Sequence, residues 1–328
     1  MNIFEIGISF INWLQSLGLW LAGPMNFISF LGVEEFYLLL APAIFWCVDA
    51  GLGLQMGLFL MASNGLNASF KMLLHGPRPY WYDPSIRSLS ANAESSFGVP
   101  SGHSQNAVVM WGTLANYLKR RWFWVVAILL ILLIGISRLI LAVHFLHDVL
   151  IGWLIGALLL ALMLWLSKPI SAWVQRLSMP QQYLVALGAS LGLILLAWLS
   201  RLYASGFSIS AEWAANALAA FPDEPIAPLS MSGVISQAGA FFGLAAGAIY
   251  LRPRGGFNTQ GTWQQYAGRY IIGVIGVLAL WRGLALIFPG GETLLAFIFR
   301  YLRYALVGAW ITALAPLLFW RLKLAKAN

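Results

Sequence analysis

The sequence has 328 residues, of which 60% are hydrophobic and only 9% are charged. A soluble chain could not keep so much apolar surface out of water, so the composition indicates an integral membrane protein and excludes the soluble classes. The net charge of +8 comes mostly from basic residues at the ends of apolar runs, which is typical of membrane topology and not of a nucleic-acid-binding surface.

Apolar runs of roughly 20 residues predict membrane-spanning helices, so the fold class is all-α and polytopic. Residues 1–31 are apolar but broken by Gly18 and Pro24, and they form either one irregular span or an amphipathic segment in the membrane interface. Further spans of the N-terminal half are predicted at about 34–50, 52–74, 101–118, 122–142 and 147–167. Residues 76–100 form a polar loop, whose Tyr80, Trp81 and Tyr82 are either a lid over a substrate or part of an interfacial aromatic belt.

The C-terminal half contains three to four more predicted spans but no motif. They lie near 182–200, 231–251, 270–288 and 294–319. We therefore predict a six-helix, membrane-embedded core over residues 1–167 and an extension of unknown role over residues 168–328. Arg282, Arg300 and Arg303 lie near or within the last two spans, where they contact a lipid headgroup, reach towards the interface or pair with Glu292.

The distribution of basic residues predicts the orientation of the spans. Alternation along the chain places Lys119–Arg121, Lys168, Arg176, Arg252–Arg269 and the basic tail on one side. The positive-inside rule makes that side cytoplasmic, in a bacterial inner membrane or its equivalent. Lys71, the start of the 101–118 span and the turn at residues 143–146 then meet at one extracytoplasmic mouth.

Three polar blocks stand at this predicted mouth. They contain Lys71 and Arg78, then Ser101, Gly102 and His103, and finally Arg138, His144 and Asp148. An unpaired cation at the bilayer centre costs about 2.5–3.5 kcal/mol, so the three cations must face water or an anion. Only Asp148, Asp83 and Glu94 are acids near them in sequence. The blocks therefore predict a receptor for a multiply charged anion such as phosphate.

The remaining polar residues of the blocks suit chemistry on that anion. Ser101 is placed to cap a helix whose free amides favour an anion, and Gly102 allows close backbone approach. His144 and Asp148 are four residues apart, so the carboxylate can orient the imidazole as a nucleophile or a base. His103 is a second group for proton transfer. Cys47 is the only cysteine and no acidic cluster has metal-ligand character, so neither metal nor cofactor is expected.

Together the blocks resemble the type-2 phosphatidic acid phosphatase superfamily. Its signature of Lys-x6-Arg-Pro, Pro-Ser-Gly-His and Ser-Arg-x5-His-x3-Asp is complete and in order here, over about 80 residues. The resemblance implies that His144 attacks phosphorus, that Asp148 orients it and that His103 protonates the leaving group. It also implies that the phosphoryl oxygens are bound by Lys71, Arg78, Ser101, Gly102 and Arg138.

The long C-terminal half and the Gly76–Trp81 run also resemble the nine-span branch that includes glucose-6-phosphatase and sphingosine-phosphate phosphatases. Asp148, however, fits the pattern of the lipid phosphatases better. We therefore predict metal-independent hydrolysis of a lipid phosphate or diphosphate, with membrane lipids as surroundings and no nucleic-acid partner. A sugar-phosphate hydrolase, a phosphotransferase and a lipid carrier that has kept the fold stay open, as does the oligomeric state.

Overall fold

The computed structural model describes residues 2–326. Within that range the secondary structure consists of helices joined by turns and loops, with no strand. Helices of the N-terminal half are α1 (Ile3–Ser16), α2 (Ala22–Phe30), α3 (Glu34–Cys47), α4 (Ala50–Leu74), α5 (Pro79–Tyr82), α6 (Gly102–Leu118), α7 (Arg121–Ile140) and α8 (Leu146–Gln175). The C-terminal half adds α9 (Met179–Ala204), α10 (Ala211–Ala220), α11 (Ser232–Leu251), α12 (Trp263–Leu278), α13 (Leu294–Ala309) and α14 (Ala315–Arg321). The predicted all-α class is confirmed.

Six helical stretches within the described residues are long and apolar enough to cross a membrane. They are Arg121–Ile140, Leu146–Gln175, Met179–Ala204, Ser232–Arg254, Trp263–Leu286 and Leu294–Arg321. The predicted spans 34–50 and 101–118 correspond to α3 and α6, which have only 14 and 17 residues. The predicted span 52–74 corresponds to α4, which has 25 residues but buries polar side chains such as Asn67 and Ser69. The polar side chains that α4 contributes to a polar site lower the mean hydropathy of this helix.

The first two helices are not one straight rod. Asn2 caps α1 by accepting hydrogen bonds from the backbone amides of Phe4 and Glu5. α1 and the helical stretch Leu19–Phe30 meet at 90°. Gly18 makes this bend possible because its φ of 124° is a conformation that side-chain-bearing residues rarely adopt. A broken span and a re-entrant arrangement both fit this shape.

The chain forms two compact units that alternate along the sequence. The first, which we call the motif unit, combines Met1–Phe36, Leu66–Ala161 and Ala197–Ser230. The second unit combines Tyr37–Gly65, Leu162–Leu196 and Met231–Asn328. The motif unit contains every residue of the three polar blocks. The predicted boundary between residues 167 and 168 stays a prediction.

The core of the motif unit lies beneath the loop between α4 and α6. Trp81 is fully buried and Tyr80 is almost so, and both pack with Phe97 and Phe145. Their burial means that Tyr80 and Trp81 form neither an exposed lid nor an exposed aromatic belt, contrary to both expectations. Tyr80 and Trp81 instead belong to the core against which this loop packs.

Close packing of α8 on α6 positions the Pro-Ser-Gly-His block. A Cβ atom at Gly152 would lie 2.6 Å from the carbonyl oxygen of Ser101, and one at Gly156 would lie 2.7 Å from that of Gln105. The backbone amide of Ser101 also donates to the carbonyl oxygen of Asp148 at 3.0 Å. Small residues on α8 therefore let the start of α6 approach the start of α8.

We expect Gly152→Val to destabilise the protein, because the added side chain would collide with the backbone at Ser101. Overpacking of this kind typically costs about 1–3 kcal/mol. Gly188→Ala on α9 is the matched control, since no atom lies within 4 Å of a Cβ at that position. Thermal unfolding of both purified variants in detergent measures the difference. Equal melting temperatures would contradict the proposed close approach of α8 and α6.

Candidate active site

Helix ends of the motif unit bring the three blocks together. Lys71 lies on the last turn of α4, which ends at Leu74, just before His75 with its φ of 50°. Arg138 lies on the last turn of α7, and Asp148 on the first turn of α8. A five-residue turn, 141–145, joins α7 to α8 and carries His144. Three helix ends and one tight turn therefore supply Lys71, Arg138, Asp148 and His144.

Arg78 is fully buried and uses its whole guanidinium group. Its Nε donates to the carbonyl oxygen of Ser96 at 2.8 Å, and its Nη1 donates to that of Val143 at 2.9 Å. Its Nη2 lies 3.1 Å from Glu94 Oε2 and 3.2 Å from the carbonyl oxygen of Phe97. These contacts tie the loop before α6 to the turn that carries His144.

Lys71 is held by the same loop. Its Nζ donates to Ser96 Oγ at 2.9 Å and to the carbonyl oxygen of Phe97 at 2.8 Å. Ser96 Oγ also accepts from Arg78 Nη2 at 3.2 Å. Neutral oxygens position Lys71, so its positive charge is not cancelled by a direct carboxylate contact.

Glu94 joins the two arginines of the site. Its two carboxylate oxygens accept from Arg78 Nη2 and from Arg138 Nη2, one each. Arg138 Nη1 also donates to Ser29 Oγ, whereas its buried Nε has no partner among residues 2–326. Burial alone would raise the pKa of Glu94, but the charges of Arg78 and Arg138 outweigh burial and hold that pKa well below its ordinary range. An ionised carboxylate therefore bridges the guanidinium groups where an anion could bind.

The contacts of His144 define its tautomer. Its Nε2 lies 3.3 Å from Arg78 Nη1, and its Nδ1 lies 3.2 Å from Asp148 Oδ2. A guanidinium can only donate, so Nε2 must carry the lone pair and Nδ1 must carry the proton. The backbone amide of Phe145 donates to the same Asp148 oxygen at 2.9 Å. Asp148 therefore fixes the imidazole with its lone pair directed at Arg78.

Electrostatics keep this imidazole neutral. Burial lowers the pKa of His144 well below its ordinary value, and the charges of Arg78 and Lys71 lower it further. A neutral imidazole with an unprotonated Nε2 is the form that can attack an electrophile.

The Pro-Ser-Gly-His block forms the start of α6. Ser101 caps the helix, with its Oγ accepting from the backbone amide of Ser104 at 3.4 Å. A Cβ atom at Gly102 would lie 3.1 Å from Asn67 Oδ1, so the absence of a side chain keeps this approach open. The Nε2 of His103 is buried and has no hydrogen-bond partner within the described residues. That atom is therefore available to a bound molecule.

Sequence reasoning missed several residues that build the site. Ser96 and Phe97 hold Lys71 and Arg78, and Ser29 holds Arg138. They contribute backbone oxygens or common hydroxyl groups, so no motif marks them. His147, which belongs to none of the three blocks, has its Nε2 3.2 Å from Asp148 Oδ1. Its position beside the Asp148 of the motif was the available signal.

A segment of the C-terminal half also packs beside the site. Within the motif unit, Asn216 Nδ2 donates to the carbonyl oxygen of Trp81 at 3.0 Å, and the amide of Ala227 donates to that of Ser95 at 3.0 Å. Phe207 stacks on His75, with ring centroids 4.7 Å apart. Residues 205–229 therefore support the loop that carries Glu94 and Ser96, although no sequence motif pointed to them.

Within the part of the chain that the structure describes, no group of three or more His, Cys, Asp or Glu side chains is placed to hold a metal ion. The site instead presents Lys71, Arg78 and Arg138 to a ligand, which suits an anion.

Two family models match the sequence. The model described as the PAP2 superfamily matches residues 52–172, which include the three blocks. The model described as a PAP2 superfamily phosphatase transmembrane extension matches residues 235–327. Residues 205–229 lie between the two matched ranges.

Several proteins with assigned names are similar to this chain. Phosphatidylglycerophosphatase B of Bacillus subtilis is 31% identical over 170 residues, 48% of this chain and 80% of the relative. Glucose-6-phosphatase 3 of Bos taurus is 27% identical over 242 residues, 67% of each chain. The chain spans only 63% and 59% of the length of the rat and human forms. The crystal structure of a transmembrane PAP2-type phosphatidylglycerolphosphate phosphatase from Bacillus subtilis matches with a TM-score of 0.45 and 28% identity, covering 51% of this chain and 86% of that one.

Glu94 contacts both arginines, so we expect Glu94→Gln to bind inorganic phosphate more tightly. Removing a competing charge should lower the dissociation constant by roughly tenfold, in line with the strength of charge-assisted hydrogen bonds. Isothermal titration of the full-length protein with phosphate measures this change. Asp83→Asn is the control, because that carboxylate accepts from the amide of Ser85 and contacts neither arginine. Weaker phosphate binding by the Gln variant would show that Glu94 positions the arginines and does not compete.

Proposed function

Because the chain belongs to the PAP2 superfamily of phosphatases, we propose that it hydrolyses a phosphorylated membrane lipid through a phosphohistidine on His144. The observation that supports this proposal most directly is the orientation of the His144 imidazole. Asp148 holds Nδ1, and Nε2 lies 3.3 Å from the Arg78 guanidinium. A phosphoryl group bound to Arg78 would therefore meet the nucleophilic lone pair.

Three cations would bind the phosphoryl oxygens. Arg78 and Arg138 would exchange Glu94 for phosphate, and the Lys71 ammonium would add a third positive charge. Ser101, Gly102 and the amides at the start of α6 would bind oxygens at the helix N-terminus. These donors are already fixed by protein contacts, so little reorganisation is needed as negative charge grows in the transition state.

The proposed reaction has two steps. His144 Nε2 forms a bond to phosphorus while the bond to the leaving oxygen breaks, and His103 gives its proton to that oxygen. Water then attacks the phosphohistidine, with its proton passing to His103, and the phosphorus–nitrogen bond breaks to release phosphate. Asp148 stabilises the imidazolium charge that His144 carries while Nε2 is bonded to phosphorus, and His144 leaves as the neutral imidazole when that bond breaks. The buried and unpartnered Nε2 of His103 supports its assignment as the proton carrier.

A lipid phosphate is the substrate class that we favour. Phosphatidate, phosphatidylglycerol phosphate, a sphingoid phosphate or a polyprenyl diphosphate would combine a phosphate for the cations with an apolar part for the membrane. A sugar phosphate is the second candidate, because the similarity to Glucose-6-phosphatase 3 extends over 67% of this chain. Asp148, at the end of the third block, favours a lipid phosphate over a sugar phosphate as the substrate.

We place the site at the extracytoplasmic face, because Lys119–Arg121 follow α6 at the opposite end of that helix from Ser101. Right-side-out membrane vesicles should then hydrolyse a membrane-impermeant phosphate ester without detergent. Inverted vesicles should do so only after permeabilisation. The reverse pattern would place the site on the cytoplasmic face.

Purified protein in EDTA should release phosphate from at least one of phosphatidic acid, sphingosine phosphate, phosphatidylglycerol phosphate, a polyprenyl diphosphate and glucose 6-phosphate. His144→Ala should lower that rate by roughly a thousandfold or more, because the nucleophile is lost. Asp148→Asn should lower it by roughly a hundredfold or more, because the tautomer is no longer fixed. Colorimetric phosphate detection measures both, with circular dichroism to verify folding.

The same assay separates the alternatives. A sugar-phosphate hydrolase would be inhibited by glucose 6-phosphate at concentrations similar to those of the lipid substrate, in the absence of detergent. A phosphotransferase would release no phosphate until an acceptor is added. A lipid carrier would move lipid equally well after His144→Ala, and no release from any substrate by folded protein would overturn the hydrolase proposal.

A further inference from the structure

Three arginines of the second unit lie inside its apolar helices. Arg282 belongs to a π-helical turn, Ala279–Gly283, near the end of the stretch Trp263–Leu286. Arg300 and Arg303 lie on α13, three residues apart and therefore on one face of the helix. A charged side chain in a membrane span is costly unless it has a partner, so each of these residues needs one.

Aromatic contacts connect the arginines of the two helices. Trp281 Nε1 donates to Tyr304 Oη at 3.0 Å and so joins the π-helical turn to α13. The Arg282 guanidinium lies 4.5 Å from the centre of the Trp281 ring, and that of Arg303 lies 5.1 Å from the centre of the Tyr304 ring. Each ring of the hydrogen-bonded pair therefore lies near one guanidinium group, Trp281 near that of Arg282 and Tyr304 near that of Arg303.

The ion pairs found within residues 2–326 lie elsewhere. They join Arg78 and Arg138 to Glu94 and two histidines to Asp148, and none of them involves Arg282, Arg300 or Arg303. The buried Nε atoms of Arg300 and Arg303 also lack a hydrogen-bond partner in this range. Two buried nitrogen donors without an acceptor among the described residues indicate that a ligand from outside the chain supplies the acceptor.

Arg269, in the same unit, shows how a structural arginine differs. It is fully buried, and its guanidinium donates to the carbonyl oxygens of Leu324, Trp46, Thr259 and Gln260 at 2.6–3.1 Å. Every nitrogen of that group has an acceptor, so Arg269 ties segments of the second unit together through four of its five N–H donors. In Arg300 and Arg303, by contrast, the Nε atom has no acceptor within the described residues.

The surroundings of the cluster indicate an amphiphilic ligand. Leu286 and Ile287, which follow the π-helical turn that carries Arg282, are exposed. An acyl chain could lie along these side chains while a phosphate meets the guanidinium groups. A small soluble anion would leave the apolar surface uncovered.

We propose that Arg282, Arg300 and Arg303 form a binding site for the phosphate headgroup of an anionic phospholipid, separate from the site at His144. Arg300 and Arg303 donate to the phosphate oxygens through the nitrogens that lack protein partners. Arg282 adds the third charge, and Trp281 with Tyr304 keeps the two helices at the spacing that the headgroup requires. The site binds lipid and performs no chemistry.

Phosphatidylglycerol tests this site, because it is an anionic phosphodiester and not a phosphate monoester. Delipidated full-length protein in detergent is titrated with phosphatidylglycerol or phosphatidylcholine, and bound lipid is counted by native mass spectrometry. We expect at least one phosphatidylglycerol to bind in preference to phosphatidylcholine. The double variant Arg300→Gln/Arg303→Gln should weaken that binding by roughly tenfold or more, since each charged hydrogen bond contributes about 1.5–3 kcal/mol.

Arg252→Gln/Arg254→Gln is the matched control. It also removes two closely spaced arginines, one of which lies 3.7 Å from the centre of a tyrosine ring, Tyr250. It should leave lipid binding unchanged. Arg300→Lys/Arg303→Lys keeps the charges and should bind more lipid than the glutamine variant, which provides a test if the latter does not fold.

Three results would overturn the proposal: equal binding of the two lipids by the wild type, unchanged binding by the Arg300 and Arg303 variants, or complete displacement of lipid by inorganic phosphate at equal concentration. The last result would identify a soluble anion as the ligand. Phosphate release is measured separately on the same preparations, so loss of the lipid site and loss of catalysis can be told apart.

Discussion

The buried Arg78 guanidinium is the interaction on which the motif unit depends. It binds carbonyl oxygens of Ser96 and Phe97 in the loop before α6, that of Val143 in the turn before α8, and the carboxylate of Glu94. The loop and the turn are distant in sequence, and this side chain fixes both. Because a buried arginine must satisfy its donors, the chain has to bring these oxygens together, and the geometry of His144 follows from that requirement.

The same arrangement explains how a cationic site can persist without its ligand. Lys71 donates to neutral oxygens, and Glu94 bridges Arg78 and Arg138. One carboxylate beside three cations leaves the site positively charged, so a doubly charged phosphate remains attracted to it. Glu94 therefore lowers the cost of bringing the two arginines together and leaves the cluster with a net positive charge.

Much of this site could be predicted from sequence, because its chemistry resides in side chains with distinctive spacing. His144 and Asp148 are four residues apart, and the structure places Nδ1 beside the carboxylate. The contributions of Ser96, Phe97 and Ser29 could not be predicted, since a carbonyl or hydroxyl group leaves no pattern until the backbone path is known. The bounds of α6 were predicted to within one residue, whereas α3 ends at Cys47 and not near residue 50, because hydropathy does not mark where a helix ends. Residues 205–229 were missed because they contribute packing and backbone hydrogen bonds instead of charge.

Arg269, Arg138 and the two arginines of α13 differ in how far the chain itself satisfies their donors. Arg269 has every guanidinium nitrogen bonded to a carbonyl oxygen, so its energetic requirement is met inside the second unit. Arg138 is only partly satisfied, since its Nε lacks a partner within the described residues. Arg300 and Arg303 share that unsatisfied Nε. Because leaving buried donors unpaired in an apolar span is costly, an acceptor from the membrane would stabilise these two residues, and the phosphate of an anionic headgroup would add a compensating charge.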